Sequence, residues 1–435
     1  MKKVVCAALC TGAAISAAAS GHSFYAAEGA GLGKELPAPL KIGVSTGNGI
    51  GKCGENIVFT VDPVDIPAGA EKIRISRRID SVIQGYEDFP VKKFTIVMSL
   101  DRPGHLSVHG VYVDATGKVL VPPPDSCAYG NGVFIEPEKL SFARHEPADF
   151  DRFWAEQLKL LAAVPMDVKR ERKRNCETWY GDEVEITSIA GIPVTGCLRI
   201  PVNARPGTLP AVVSFHGAGF KRASFRSDYG NNVIVFDVNA HGLNNHMPKE
   251  YYRQLNENPP AELDIFSSRD NAGNSYFKNM FLRTVRALDF IKSLPEWDGK
   301  TLIVHGRSQG GAQAIAAAAL VPEVTLCAAN VPALADHGGV FAGRKPGWPG
   351  INPEKNAAIA AASDYVDVAN LAARIRCETL LSIGMIDTIC PPVSVYLVYK
   401  NIRAEKHVTF FPAMGHNAPP VLLDGRERIR KEVNK

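Results

Sequence analysis

A serine, an aspartate and a histidine, met in that order along the chain, raise the first chemical question. The serine is Ser308, inside His305-Gly306-Arg307-Ser308-Gln309-Gly310-Gly311, a G-x-S-x-G pattern. A hydroxyl is a weak nucleophile at neutral pH. It needs a base to take its proton, and an imidazole base needs a carboxylate to hold its tautomer. His337, His407 and His416 are the histidines that follow Ser308. His416, in Phe411-Pro412-Ala413-Met414-Gly415-His416-Asn417, follows the last apolar strand-like run and is the expected base. His407 opens that run and reads as structural, and His337 falls in a connecting excursion. Asp387 closes Leu380-Leu381-Ser382-Ile383-Gly384-Met385-Ile386-Asp387 and is the expected carboxylate. Asp364 and Asp367 precede the same run, at its wrong end. The oxyanion of an acyl-transfer intermediate needs two backbone donors. The N–H of Gln309, directly after the serine, is one expectation. The N–H of Ala218, in His216-Gly217-Ala218-Gly219-Phe220, is the other, with His216 shaping the loop rather than reacting.

The elements around these residues decide whether the pattern means anything. A second match, Gly43-Val44-Ser45-Thr46-Gly47, has no helix after it and cannot form a nucleophile elbow. Ser308 follows the strand-like Leu302-Ile303-Val304 and precedes an alanine-rich helical run, which is the required setting. The elbow crowds the backbone, so its flanking positions must lack side chains, and Gly306 and Gly310 meet that need. Gly49-Ile50-Gly51-Lys52-Cys53-Gly54 matches a dinucleotide fingerprint without its strand and helix, and is set aside. From residue 141 onward, short apolar runs at 211–215, 233–237, 302–304, 325–329, 379–383 and 407–410 alternate with helical patterns such as 277–294. This grammar predicts an α/β fold with a mostly parallel, doubly wound sheet, and the order Ser, Asp, His is that of the α/β-hydrolase fold. A helix is expected from Phe150, capped by Asp149. A hairpin is expected over residues 183–200. Residues 38–140 instead show short alternating segments broken by Gly, Pro and Asp, which predict a small β-sandwich, immunoglobulin-like in kind.

The hydrolase region resembles the acetyl xylan esterase / cephalosporin-C deacetylase family of α/β-hydrolases over residues 147–416. The resemblance rests on PADFDRFW, FHGAGF, GRSQGG and GMIDTICPP. It implies Ser308, Asp387 and His416 as a triad, Gln309 and Ala218 as oxyanion donors, and no cofactor. Ala218 stands where the family usually has Tyr. The implied reaction is removal of short acyl groups, chiefly acetyl, from sugars and small esters. Two further departures matter. The family's Arg-Gly-Gln is replaced by the run through Asn239-Ala240-His241, and the Glu that follows its histidine is replaced by Asn417. These positions shape the site surround and the subunit contacts of the family's ring-like oligomer. Other serine acyl hydrolases, peptidases or longer-chain esterases, are the alternative chemistry. An inert binding protein is the alternative class, and an intact Ser, Asp and His in order speaks against it.

Bulk properties narrow the field further. The chain has 435 residues, 46% hydrophobic and 22% charged, with a formal net charge of +4. That is ordinary globular composition, with room for two domains and no polycationic signal for nucleic acid. The basic run Lys169-Arg170-Glu171-Arg172-Lys173-Arg174 reads as a solvated face. Residues 1–20 combine Lys2 and Lys3, a short alanine-rich apolar stretch and small residues at the exit. They read as a secretory signal peptide rather than a membrane span, and residues 21–37 as a linker, so an exported protein is expected. Nine cysteines, less Cys6 and Cys10 of the leader, leave an odd number. Cys53 with Cys127 is a candidate bridge, and no spacing suggests a structural metal.

Overall fold

A computed structural model describes residues 7–9, 39–120, 129–416 and 423–434. Cys127 and Asn417, and with them the candidate disulfide and one family departure, lie outside those residues. The N-terminal part forms two facing sheets. One contains Leu40–Val44, Ile57–Pro63 and Phe94–Met98, and the other Lys72–Ile79, Val82–Pro90, Gly104–Val113 and Tyr129–Ile135. Alternation builds the core between them: Ile57, Phe59 and Val61 from one sheet meet Ile73, Ile75, Leu106 and Val108 from the other. Ala7–Leu9 pair with Phe94–Met98. Cys53 is a free thiol that donates to Glu136 at 3.1 Å.

The remainder is built on a nine-stranded sheet. Three antiparallel strands, Val168–Asn175, Trp179–Ile186 and Val194–Pro201, lead into a parallel array in the order Ile234–Asn239, Leu209–Phe215, Trp297–Arg307, Leu326–Asn330, Glu378–Gly384, Lys406–Phe411. The apolar runs read from sequence lie within these six parallel strands; the first five are largely buried because helices cover both faces, while Lys406–Phe411, at the sheet edge, is only partly so. The helix Tyr276–Ser293 is capped by Ser275 and buries most of its length. The helix Gln309–Leu320 is nearly all alanine and glycine on its buried surface, which lets it approach the sheet closely. One detail differs from expectation and another adds to it. Asp149 stands at the N-cap of Phe150–Ala162 but makes no cap bond; its carboxylate is taken by Tyr365 and Arg152. The basic run is a strand, Val168–Asn175, whose side chains are exposed along the sheet edge.

Candidate active site

The strand Trp297–Arg307 ends in a turn in which Ser308 adopts φ 58° and ψ −122°. A non-glycine residue pays roughly 1–3 kcal/mol for such a conformation, so neighbours must fix it. They do so through its own backbone. Its N–H donates to Asn330 O at 2.9 Å, and its carbonyl accepts from Ala312 and Ala333, each at 3.0 Å. The flanking glycines are obligatory. A Cβ at Gly306 would lie 2.1 Å from the Gly310 carbonyl oxygen, and one at Gly310 would lie 2.1 Å from that of Phe215.

Asp387 follows the strand Glu378–Gly384 and His416 follows the strand Lys406–Phe411, so sheet order brings both to the end where Ser308 turns. The Ser308 hydroxyl donates to His416 Nε2 at 2.9 Å. His416 Nδ1 donates to Asp387 Oδ2 at 2.8 Å. The other oxygen of Asp387 accepts from the N–H groups of Ile389 and Cys390, at 2.7 and 2.9 Å. Its carboxylate plane is therefore set by the backbone of the Cys-Pro-Pro turn. Arg307 donates to the carbonyl of His416. Ser45 lies in the sandwich, where its hydroxyl accepts from Val58 N–H. His337 is buried in the short helix His337–Ala342, and His407 is exposed beside Glu405; neither joins this hydrogen-bonded series.

The loop after Leu209–Phe215 lies against Ser308, with a Cβ placed on Gly217 only 3.6 Å from Ser308 Cβ. His216 organises it. The N–H of Ala240 donates to His216 Nε2 at 3.1 Å, which leaves the ring proton on Nδ1 to donate to Gly217 O at 2.7 Å. Burial holds the His216 pKa down at about 4, with nearby Lys221 adding to the effect, so the ring stays neutral. A trans peptide carries its C=O and the next N–H in opposite directions. Pinning Gly217 O thus turns the Ala218 N–H the other way. Asn256 clamps Phe220, two residues on, through its N–H and C=O, at 2.8 and 2.9 Å. Asn239 donates to Lys221 O at 2.9 Å and to Asn245, which in turn accepts from Ala223 N–H at 2.7 Å.

Asp387, Cys390 and His416 also bring one ligand atom each within 4.8 Å of one another. Burial keeps the Cys390 thiol well above its ordinary pKa, and the carboxylate and imidazole already satisfy each other. The set is complete without an ion.

Over residues 138–428 the chain matches the family model described as Acetyl xylan esterase (AXE1). The chain belongs to the acetyl xylan esterase family. Acetyl esterase Axe7A of Xylanibacter ruminicola is 34% identical over 298 residues, 65% of this chain and 66% of that protein, so the chain spans just under two thirds of its relative. The solved acetyl xylan esterases of Paenibacillus sp. and Thermoanaerobacterium sp. share the fold at 22% identity and TM-score 0.59. Each is covered to 98%, while they cover 68% and 69% of this chain. Within this acetyl xylan esterase family member, Asn239 and Ala240, at the end of the strand Ile234–Asn239, bond directly to the loop that carries Ala218. Sequence reasoning placed Ala240 in the site surround without its role, and missed Asn245 and Asn256. Ala240 acts through a backbone N–H, which has no signature in residue type. The asparagines sit outside any motif.

Proposed function

We propose that the protein is an exported serine esterase that removes acetyl groups from carbohydrates or related small esters. The observation that carries this reading is the unbroken hydrogen-bond series Ser308–His416–Asp387 at the ends of three parallel strands. Family membership supports acetyl as the acyl group and an acetylated saccharide as substrate. The leader-like N-terminus supports export, and among the described residues no helix is long and apolar enough to cross a membrane.

In this mechanism Ser308 Oγ attacks the acetyl carbonyl carbon while His416 Nε2 takes its proton. Asp387 holds the resulting imidazolium by accepting from Nδ1–H. The oxyanion lies against the N–H groups of Gln309 and Ala218, the first of which opens a helix and gains from its dipole. Collapse breaks the ester C–O bond, and the sugar oxygen leaves with the proton from His416. Water then repeats the attack on the acetyl-serine, and acetate departs. No step calls for a cofactor or a metal.

The test is one panel: acetate release from acetylated xylan and p-nitrophenyl acetate, beside longer acyl esters and peptide anilides. The expected order is acetyl esters first, with Ser308→Ala lowering turnover by ~10,000-fold or more. Preference for longer acyl chains or peptide bonds would replace acetyl by another acyl group. Absence of any ester turnover would overturn the enzyme reading.

A further inference from the structure

A sheet on the outside of a two-layer sandwich normally shows one face to water. Here the strand Gly104–Val113 is buried along nearly its whole length. Leu106 and Val108 enter the sandwich core, while His105, Ser107 and His109 point the opposite way and are still only 0–2% exposed. That second face is pressed onto the catalytic unit. From the adjoining strand Tyr129–Ile135, Phe134 joins the catalytic core, its ring 5.2 Å from Tyr396 and 5.3 Å from Phe410.

The contact falls on the two loops that deliver Asp387 and His416. Gly132 N–H donates to Pro412 O at 3.1 Å, on the approach to His416. A Cβ at Gly132 would lie 2.4 Å from the carbonyl oxygen of Met385 and 2.7 Å from His105 Nε2, so sandwich and acid loop meet there at bare backbone. A Cβ at Gly130 would lie 3.2 Å from Ile386 Cγ2. Met385 and Ile386 immediately precede Asp387 in the chain. Their N–H groups donate to Phe411 O and Met414 O, each at 3.0 Å, tying the acid loop to the histidine loop. A second sandwich contact, Lys345 N–H to Asp80 O at 3.1 Å, holds the excursion whose Trp348 N–H donates to Ile389 O at 2.9 Å, just past Asp387.

We propose that the sandwich is a working part of the active site: Gly132 and His105 are positioning residues that set where Asp387 meets His416. Neither touches substrate. The proposal rests on the Ser308–His416–Asp387 reading, and it separates this chain from a catalytic unit carrying a loosely tethered accessory domain.

The experiment uses the full chain and two readouts: steady-state kinetics on p-nitrophenyl acetate, and the far-downfield proton resonance of the His416 Nδ1–H in its bond to Asp387. Gly132→Ala pushes on the Met385 carbonyl. It is expected to lower kcat about 10- to 100-fold with KM nearly unchanged, because misplacing catalytic groups by an ångström costs that order, and to shift or broaden the resonance. His105→Ala removes the ring without adding bulk and should do the same more mildly, a several-fold loss in kcat with a shifted resonance. Tyr86→Ala, at an exposed position on the strand Val82–Pro90, should change neither. If Gly132→Ala does not fold, His105→Ala decides alone. Wild-type resonance and kcat in a folded variant of either residue would overturn the proposal and leave the triad intact. A wild-type enzyme with no such resonance, or full activity in Ser308→Ala, would instead overturn the triad reading.

Discussion

His216 shows how much of this site depends on one proton. Its neutral tautomer is dictated from outside, because Ala240 N–H needs an acceptor at Nε2. Only that tautomer can donate from Nδ1 to Gly217 O and so orient the Ala218 peptide. His216→Ala should leave the Ser308–His416–Asp387 series standing and weaken one of the two proposed oxyanion donors. The expected result is a loss in kcat/KM of about 10- to 100-fold, at or below the 10²–10³ for deleting a donor outright, with KM little changed. Affinity for an acetyl-mimicking boronate should fall in parallel, since it binds as the tetrahedral species does. Equal boronate affinity in the variant would show that the loop holds its shape without the ring. The convergence of Ser308, Asp387 and His416 was legible in the sequence because each sits in a local context, a strand end and a loop, that residue patterns report. The tautomer of His216 was not legible, because it depends on a backbone donor from the turn after another strand.

At the scale of elements, the strand Val168–Asn175 was one that the residue pattern hid. A run of Lys and Arg has no apolar alternation, so it reads as a solvated surface. That is true of its side chains and says nothing of its backbone. Pairing with Trp179–Ile186 supplies the ladder, and Asp182 anchors it by accepting from Arg170 and Arg172, with Arg172 also 3.8 Å above the Tyr180 ring. The charges suit an edge, where they discourage pairing with another chain. Asp182 is buried while both arginines are partly exposed. Asp182→Ala should therefore cost only about 1–3 kcal/mol, less than breaking a fully buried pair. Chemical unfolding should register that loss, while kcat at 25 °C stays at the wild-type level because this edge is remote in sheet order from the strands that carry the triad. The parallel strands, by contrast, were legible to within a few residues, since burial on both faces leaves continuous apolar runs.

At the scale of the whole molecule, the interface between sandwich and catalytic unit should make the fold sensitive to acid. Alternating His105, Ser107 and His109 with Leu106 and Val108 looks from sequence like a wet face over a dry one, so nothing in the pattern announces that both faces are covered. The consequence is that His105 is folded into a place with no water to solvate its charge. Burial lowers its pKa to about 3, against a weaker opposing pull from the Met385 carbonyl. His109, bonded to Ser107, is driven well below its ordinary value by burial, by Arg78, by His105 and by Lys345. In the unfolded chain a histidine titrates near about 6.5. Between that value and about 3 the unfolded state therefore binds a proton at residue 105 that the folded state refuses, and stability falls as pH falls. A single such group removes about 1.4 kcal/mol per pH unit once the pH is well below 6.5. His105→Ala deletes that dependence and adds a packing loss that does not vary with pH. The unfolding free energies of wild type and variant, measured in urea at pH 7.5 and pH 4.5, should thus converge by about 2.7 kcal/mol at the lower pH. A gap that stays constant between the two would mean that His105 carries its charge in the folded protein, and that the interface is open to water where the packing leaves no room for it.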